Sequence, residues 1–455
     1  MKQLRLFLLL AAGLFLTSCS EPQSDEFPNP DPPPTVGRHA VPIDQALGEL
    51  DDLLGVIDGQ GTRAGGVRTV AQVQTLHAQA LALTRSAGEP GEQPEELLYV
   101  VNFEDDAGYA VLGADDRLPG VLAVTDEGSL TTEELVRAAN GQTTPEEFTF
   151  PNEMLMNYVS GIGGIGGGGI GGGGIGGGGI PTGPFTDFDT QLGNPPAGFE
   201  GYEWSDWKNL EYVAPMVTTR WHQEDPFNRH CPVIGGETCV AGCAAIAMAQ
   251  IVASNHLHHN VSPGRIGNIS LNWTLIRQGI IDPDLLNRNS SIANQVALLV
   301  AALGLKLGMN YGVTQSGASI DDAEYCFKYI GYKGVNNHTF RPSYVRTMLW
   351  ERQRPTYVRA VNAQKEGHAW VADGWLYRRR DQYAVIFGKR SDYSVSNQTQ
   401  TLMHCNFGWG GRCDGFYHIG LFNTNEQAVI PDIDYTPVDD DYNGGKRMIT
   451  YTEMY

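Results

Sequence analysis

Hydrophobic and polar positions follow several different rhythms along this chain, and the changes of rhythm mark its parts. From Val41 to Ile57, the apolar residues Ile43, Leu47, Leu50, Leu53 and Leu54 recur at helical spacing and stop at Gly59. The stretch Val70 to Leu83 fits either an amphipathic helix or a strand followed by a helix. Leu97 to Phe103 and Gly108 to Gly113 are apolar runs on either side of a polar turn, the pattern of a β-hairpin. Val121 to Val124 reads as a third strand, ending before Asp126-Glu127-Gly128. Residues 38–150 thus read as a compact α+β unit that holds no nucleophile–base pair.

The pattern then breaks. Gly161 to Ile180 is almost all glycine, with isoleucine at 162, 165, 170, 175 and 180. A period of five suits neither strand nor helix, and such a tract cannot offset its ordering entropy. As a random coil its twenty residues would span about 25 Å. Residues 151–200, including the Pro181 to Pro196 continuation, are read as a linker open to proteolysis.

Beyond the linker, residues 201–455 place helices first and strands second. No charged side chain occurs from Val240 to Ser254, and its alanine, isoleucine and methionine favour helix, so a buried central helix is expected there. Val296 to Leu307, Ala318 to Ile330 and Pro342 to Arg352 predict three more. An antiparallel β half begins near Arg354, with His368 opening the second strand of a pair across a polar turn. Thr401 to Cys405 is a further strand, running into the turn Asn406-Phe407-Gly408-Trp409-Gly410-Gly411. The fold class is α+β.

Three residues in these elements carry candidate chemistry. Cys243 follows Gly242 in the first turn of the central helix, where the helix dipole and unpaired N–H groups favour thiolate. Buried cysteines are more often inert, so the assignment needs partners. A thiolate nucleophile needs an imidazole to hold its proton, and the imidazole needs an acceptor to fix its ring. His368 and Asn406 are candidates for those two roles.

The stretches Gly242-Cys243 with Ala247, Ala249 and Gln250, then Gly367-His368-Ala369-Trp370-Val371 with Asp373-Gly374, then His404 with Asn406 to Gly411, resemble streptopain-type cysteine proteases, a papain-like family. Trp221-His222-Gln223 with Pro226-Phe227-Asn228 adds a fourth motif, and the resemblance covers roughly Tyr202 to Ile419. It implies a papain-like catalytic domain with Cys243 as nucleophile, His368 as general base and acid, and Asn406 as the residue that orients it. Gln223 would donate its amide to the oxyanion beside the Cys243 N–H. Gly367 and Trp409 are expected to contact substrate. Phe407 departs from the family, which usually has tryptophan there; a phenyl ring still shields an Asn–His hydrogen bond from water. The Tyr99 to Phe103 and Gly108 to Arg117 segments resemble the family's propeptide, which covers the cleft and displaces the catalytic histidine from its cysteine.

Composition narrows the function further. The chain has 455 residues and a net charge of −21, which argues against nucleic acid as a partner. Residues 20–160 carry −19 of that charge and 161–455 only −4. Met1 to Ser18 has the charged start and short apolar run of a signal peptide, and Leu16 to Cys19 resembles a bacterial lipoprotein signal in which Cys19 is lipidated. Acidic and Pro-rich residues 19–37 read as a tether, similar to export signals of Bacteroidetes lipoproteins. Six other cysteines remain, with Cys405–Cys413 and Cys231–Cys239 the candidate disulfide pairs. His256 to His259 lacks the carboxylate or cysteine spacing of a metal site, and Asp439 to Gly444 lacks the alternation of a calcium loop. The resulting expectation is a lipid-anchored endopeptidase zymogen at the outer membrane or cell surface, its catalytic domain released on maturation. It would use no cofactor or metal; its partners would be protein or peptide substrates, its own propeptide and the membrane. The rival expectation is an inactive protease-fold lipoprotein that binds host or bacterial proteins.

Overall fold

The front region folds largely as its pattern predicts. The computed structural model describes residues 40–60, 68–81, 96–140, 142, 149–163, 197–361, 367–422 and 445–454. Helix α1 (Ile43–Ile57) buries Leu50, Leu53 and Ile57. The ambiguous stretch that follows is a strand, β1 (Val70–His77), and a short 3-10 turn. Strands β2 (Glu96–Phe103) and β3 (Tyr109–Gly113) form the expected hairpin, and β4 (Val121–Thr125) pairs with β3. All five residues of β3 and of β4 are buried because both faces are covered. Val101, Leu112 and Val121 pack under α1, while Val100, Val111 and Leu122 join a second cluster on the other side.

Two helices follow. Thr131 and Glu134 form a capping box at the start of α2 (Thr132–Ala139), each side chain meeting the other's backbone N–H. Helix α3 (Thr149–Gly163) occupies the first part of the stretch expected to be linker, and its Met154, Leu155, Met156 and Val159 are buried. The rest of the glycine tract, the N-terminal signal and tether with Cys19, and Asp439 to Gly444 lie outside the described residues.

The uncharged run becomes helix α4 (Cys243–His259), buried continuously from Ala244 to His256. Around it pack α5 (Trp273–Ile281), α6 (Ser290–Lys306) and α7 (Ile320–Tyr329), which contribute Ile276, Ile280, Val296, Leu299, Val300, Leu303 and Phe327 to one core. Helix α6 starts well before Val296 because Asn289 caps it, accepting from the Ser291 and Ile292 N–H groups. Helix α5 escaped the sequence reading, although Asn272 caps it in the same way. The predicted Pro342 to Arg352 helix is a short α-turn that continues as a π-turn.

The β half is built on one long hairpin. Strands β5 (Phe199–Trp204), β6 (Lys208–Val213), β7 (Asn336–Thr339) and β8 (Thr356–Val361) precede β9 (Gly367–Ile386), which is 20 residues long. Strand β9 returns through Phe387 and Gly388, at φ 50° and 67°, into β10 (Lys389–Asn406). Two successive left-handed residues make the tight turn whose twist suits a hairpin. Along its other edge β9 pairs first with β8, then β6, then β5, all antiparallel. Strands β11 (Gly415–His418) and β12 (Arg447–Thr450) complete the set.

One pairing joins the halves. Strand β4 lies against β11, with Thr125, Val124 and Ala123 opposite Gly415, Phe416 and Tyr417. The result is a 12-stranded sheet in the order β1-β2-β3-β4-β11-β10-β9-β8-β12-β7, with β5 and β6 also on β9. Gly415 permits the close approach, since a Cβ there would stand 2.4 Å from the Val124 carbonyl oxygen. Arg380 of the long hairpin also pairs with Glu49 of α1. Gly37 to Tyr455 therefore form one unit.

Phe416 is fully buried in the cluster that includes α1, β2, β3 and the hairpin residues Leu376 and Leu402. Phe416→Ala is expected to destabilise the chain by about 3–5 kcal/mol, seen as a lower urea midpoint. An unchanged midpoint would mean that this shared core does not hold the halves together.

Candidate active site

Gly242 sets the position of the candidate nucleophile. Its φ of 87° is a left-handed conformation, and a Cβ would lie 2.8 Å from the Met309 sulfur. Only glycine fits comfortably, which explains the Gly-Cys junction. Cys243 is the first residue of α4 and is half-buried. Burial pushes its thiol up, while the backbone N–H of Ala369, the charge of Arg359 and the N–H groups of Ala244 and Cys243 pull the other way. Burial prevails, so Cys243 rests as a thiol.

Gln223 is brought toward the start of α4 by two backbone ties. Its carbonyl accepts the Ala241 N–H at 2.8 Å, and the carbonyl of Trp221 accepts the Gly410 N–H at 3.1 Å. The segment 221–223 is thereby held between the helix start and the Trp409 turn.

His368 lies at the start of β9, as its polar-then-apolar setting predicts. Alternation turns His368, Trp370 and Ala372 to one face of the sheet and Ala369 and Val371 to the face that packs on α4. The imidazole stacks on Trp409 with ring centroids 4.4 Å apart, and Trp370 and Phe407 stand within 6.3 Å. Nε2 is 3.0 Å from the carbonyl oxygen of Phe407. A carbonyl only accepts, so Nε2 carries the proton and Nδ1 the lone pair of the neutral ring. Burial lowers the pKa to about 4, opposed by that hydrogen bond. Among the described residues, no hydrogen bond joins His368 to Cys243, and burial favours the neutral form of each.

Asn406 makes its hydrogen bonds elsewhere. Its Oδ1 accepts from Gln250 Nε2 at 2.8 Å and from the Gly408 N–H at 3.1 Å, and its Nδ2 donates to the Thr219 carbonyl at 3.0 Å. Thr219 Oγ1 donates to Gln250 Oε1 at 2.9 Å. This closed amide network clamps β10 to α4. The carbonyl that holds His368 belongs to the next residue, Phe407, whose own N–H donates to Asp414 at 2.8 Å. Gln250 belongs to the motif that carries the family resemblance but has no role assigned there, yet an amide in an otherwise apolar buried helix demands a partner.

Asp373 does not reach His368. Its carboxylate accepts the Val217 N–H and lies 2.7 Å from His404 Nδ1. On the other side, His404 Nε2 is 3.2 Å from Asp126 of the front region. Both partners are acceptors, so His404 is an imidazolium gripped between two carboxylates. Burial lowers its pKa, but Asp373 and Asp126 together outweigh that and hold it at about 10. Beside it, Arg220 pairs with Glu127 of the front region.

The remaining candidates separate cleanly. The six described cysteines are free, so neither Cys405–Cys413 nor Cys231–Cys239 is bridged. The Cys405 thiol points at the Met403 carbonyl and Cys413 interacts with Tyr109, each within the core rather than toward the other. His256, His258 and His259 are each hydrogen-bonded near the end of α4, to Ser262, Met216 and Gln353, and no three-ligand metal group occurs among the described residues.

Residues 221–417 match the Peptidase C10 family. Streptopain of Streptococcus pyogenes is 24% identical over 243 residues, 45% of this chain and 54% of streptopain. The chain thus spans about half the length of the curated relatives it matches. Among solved structures, a fragment of Prevotella intermedia prointerpain A covers 84% of this chain and 98% of its own, with 19% identity and a TM-score of 0.47. The active wild-type interpain A cysteine protease of Prevotella intermedia covers 53% of this chain and 95% of its own, at 21% identity and a TM-score of 0.37.

Two outcomes are expected of these networks. Asn406→Ala strands Gln250 in the core and should lower stability by about 1–3 kcal/mol in urea unfolding; an unchanged midpoint would show that the amide clamp carries no load. The His404 pKa is raised from 6.5 to about 10 on folding, so its stabilisation is complete below about 6.5 and lost as pH rises through 10. Against Asp126→Asn, the parent chain should therefore show its extra stability at neutral pH, and the difference should close toward pH 10. A constant difference would place the effect outside this clamp.

Proposed function

We propose that the chain is a cysteine endopeptidase held as a zymogen by its front region. The observation that carries this reading is that Cys243 opens a buried helix directly after the left-handed Gly242, where the Ala369 N–H and the Arg359 charge favour its thiolate. On activation the His368 side chain turns from its aromatic wall toward Cys243, and Nδ1 takes the thiol proton. The thiolate attacks a peptide carbonyl, and the Cys243 N–H and the Gln223 amide receive the oxyanion. The imidazolium gives its proton to the leaving amine. Water, deprotonated by His368, then breaks the thioester and regenerates the thiol. Asn406 serves as a positioning residue: pinned by Gln250 and Thr219, it fixes the Phe407 carbonyl that selects the ring tautomer.

The front region supplies the restraint in this reading. It extends the sheet through β4 and β11, adds α3 to the cluster that contains Trp370 and Phe407, and gives Asp126 to His404. Held on one chain, it acts at an effective concentration on the order of millimolar, so cutting the tether weakens it without destroying it. We also read Cys19 as lipidated and the protein as a surface lipoprotein, in which the same cut would free the enzyme.

Cys243→Ala is expected to abolish casein hydrolysis while leaving the urea midpoint nearly unchanged. Hydrolysis that persists in this variant would move the nucleophile elsewhere. The intact chain should be nearly inactive, and cleavage between Gly161 and Pro215 should activate it; equal rates before and after the cut would remove the zymogen role. A cut protein that hydrolyses nothing and does not react with E-64, an epoxide that traps catalytic cysteines, would favour the non-enzymatic binding reading.

A further inference from the structure

A charged side chain stands beside Cys243 without a hydrogen-bond or ion-pair partner among the described residues. In the β8–β9 pair, Arg359 lies opposite Ala369, and both the Ala369 N–H and the Arg359 charge act on the Cys243 thiol. Tyr357, Arg359, Ala369 and Val371 share the face of the sheet that packs on α4. Tyr357, Ala369 and Val371 belong to the core beneath α4, whereas Arg359 is half-buried. Its guanidinium crosses over Gly367: a Cβ on that glycine would stand 2.5 Å from Nη2 and 3.1 Å from Cζ. Gly367 is side-chain-free where Arg359 needs the space.

Other sheltered arginines each have a partner, although both Nη atoms of Arg378 lack a hydrogen bond. Arg346 binds Glu211, Arg380 binds Glu49, Arg68 binds Asp58, and Arg378 lies over the Trp207 ring. Arg359 has no hydrogen-bond, ion-pair or ring partner among the described residues, and it makes no hydrogen bond to the Cys243 sulfur. A partly desolvated guanidinium keeps five donors in a planar fork that matches a carboxylate. Leaving such a cation unpaired is unfavourable, so it is open to an anionic group from beyond the described residues.

We infer that Arg359 is a specificity residue, which selects substrates carrying Asp or Glu within two residues of the cleaved bond. This rests on the peptidase reading above. A peptide whose carbonyl meets the Cys243 sulfur runs past Ala369, and a side chain near that bond enters the space beside the guanidinium. Stabilising the thiolate alone would leave Arg359 unpaired once the thioester forms. A substrate carboxylate satisfies it throughout the acyl-transfer step.

The test uses the full chain activated by cleavage of the tether, with fluorogenic peptides matched except for Glu, Gln or Lys at each of the two positions on either side of the scissile bond. At one position kcat/KM for Glu should exceed that for Gln by about tenfold or more. Arg359→Gln should bring this ratio near one, Arg359→Lys should retain a preference for Glu, and Arg359→Glu should turn it toward Lys. A ratio near one in the parent enzyme overturns the proposal. So does a ratio that survives Arg359→Gln while only the pH profile of Cys243 alkylation moves, since that result assigns the charge to the thiol. Failure to hydrolyse any of these peptides, together with failure on casein, overturns the peptidase reading itself.

Discussion

Everything in this structure is arranged around one edge-to-edge pairing, that of β4 with β11. A strand edge left bare exposes unpaired N–H and C=O groups, and here the front region supplies the missing neighbour. The pairing also merges two cores. Helix α1 packs over Leu376, Leu402 and Phe416, while the buried residues of α3 share a cluster with Trp370 and Phe407. The front region is therefore continuous with the wall on which His368 rests. The most polar contact across the junction, His404 between Asp373 and Asp126, is also among the most deeply buried. Its geometry leaves little tolerance for a shifted β4.

The chemistry of the site follows from that burial. Cys243 and His368 are both shifted toward their neutral forms by desolvation, and the ring is oriented by a backbone carbonyl rather than an amide side chain. A thiolate–imidazolium pair would require each group to meet the other's charge and some water to return. Desolvation of both groups is therefore an electrostatic restraint on the resting arrangement.

Much of this was legible in the residues. The uncharged run around Gly242 announced its own burial, the apolar run and polar turn before His368 placed that residue at the mouth of a strand, and the hairpin of the front region could be read from its apolar runs. The limits had physical causes. Alternation reveals the faces of a strand but not its neighbour, so nothing in Val121 to Thr125 pointed to β11 some 290 residues away. Asn406 could be found by its motif, but its hydrogen bonds depend on Gln250 and Thr219, which converge only in the folded chain. His404 and Asp373 were polar residues inside apolar strands, a departure that signals a buried pair without naming the third partner, Asp126. Arg359 resembled an ordinary strand residue until Gly367 was found beneath its guanidinium.

The central claim is that the front region keeps Cys243 a neutral thiol. The direct measurement is the rate at which Cys243 reacts with a fluorescent iodoacetamide as a function of pH, resolved for the uncut and cut chains on the same gel and assigned to the Cys243 peptide by mass spectrometry. The account predicts that in the uncut chain labelling rises only above the ordinary thiol value of about 8.5, whereas after the cut and release of the front region it is already rapid near pH 6. Rapid labelling near pH 6 in both forms would contradict it, because the reactive ion pair would then exist with the front region still in place.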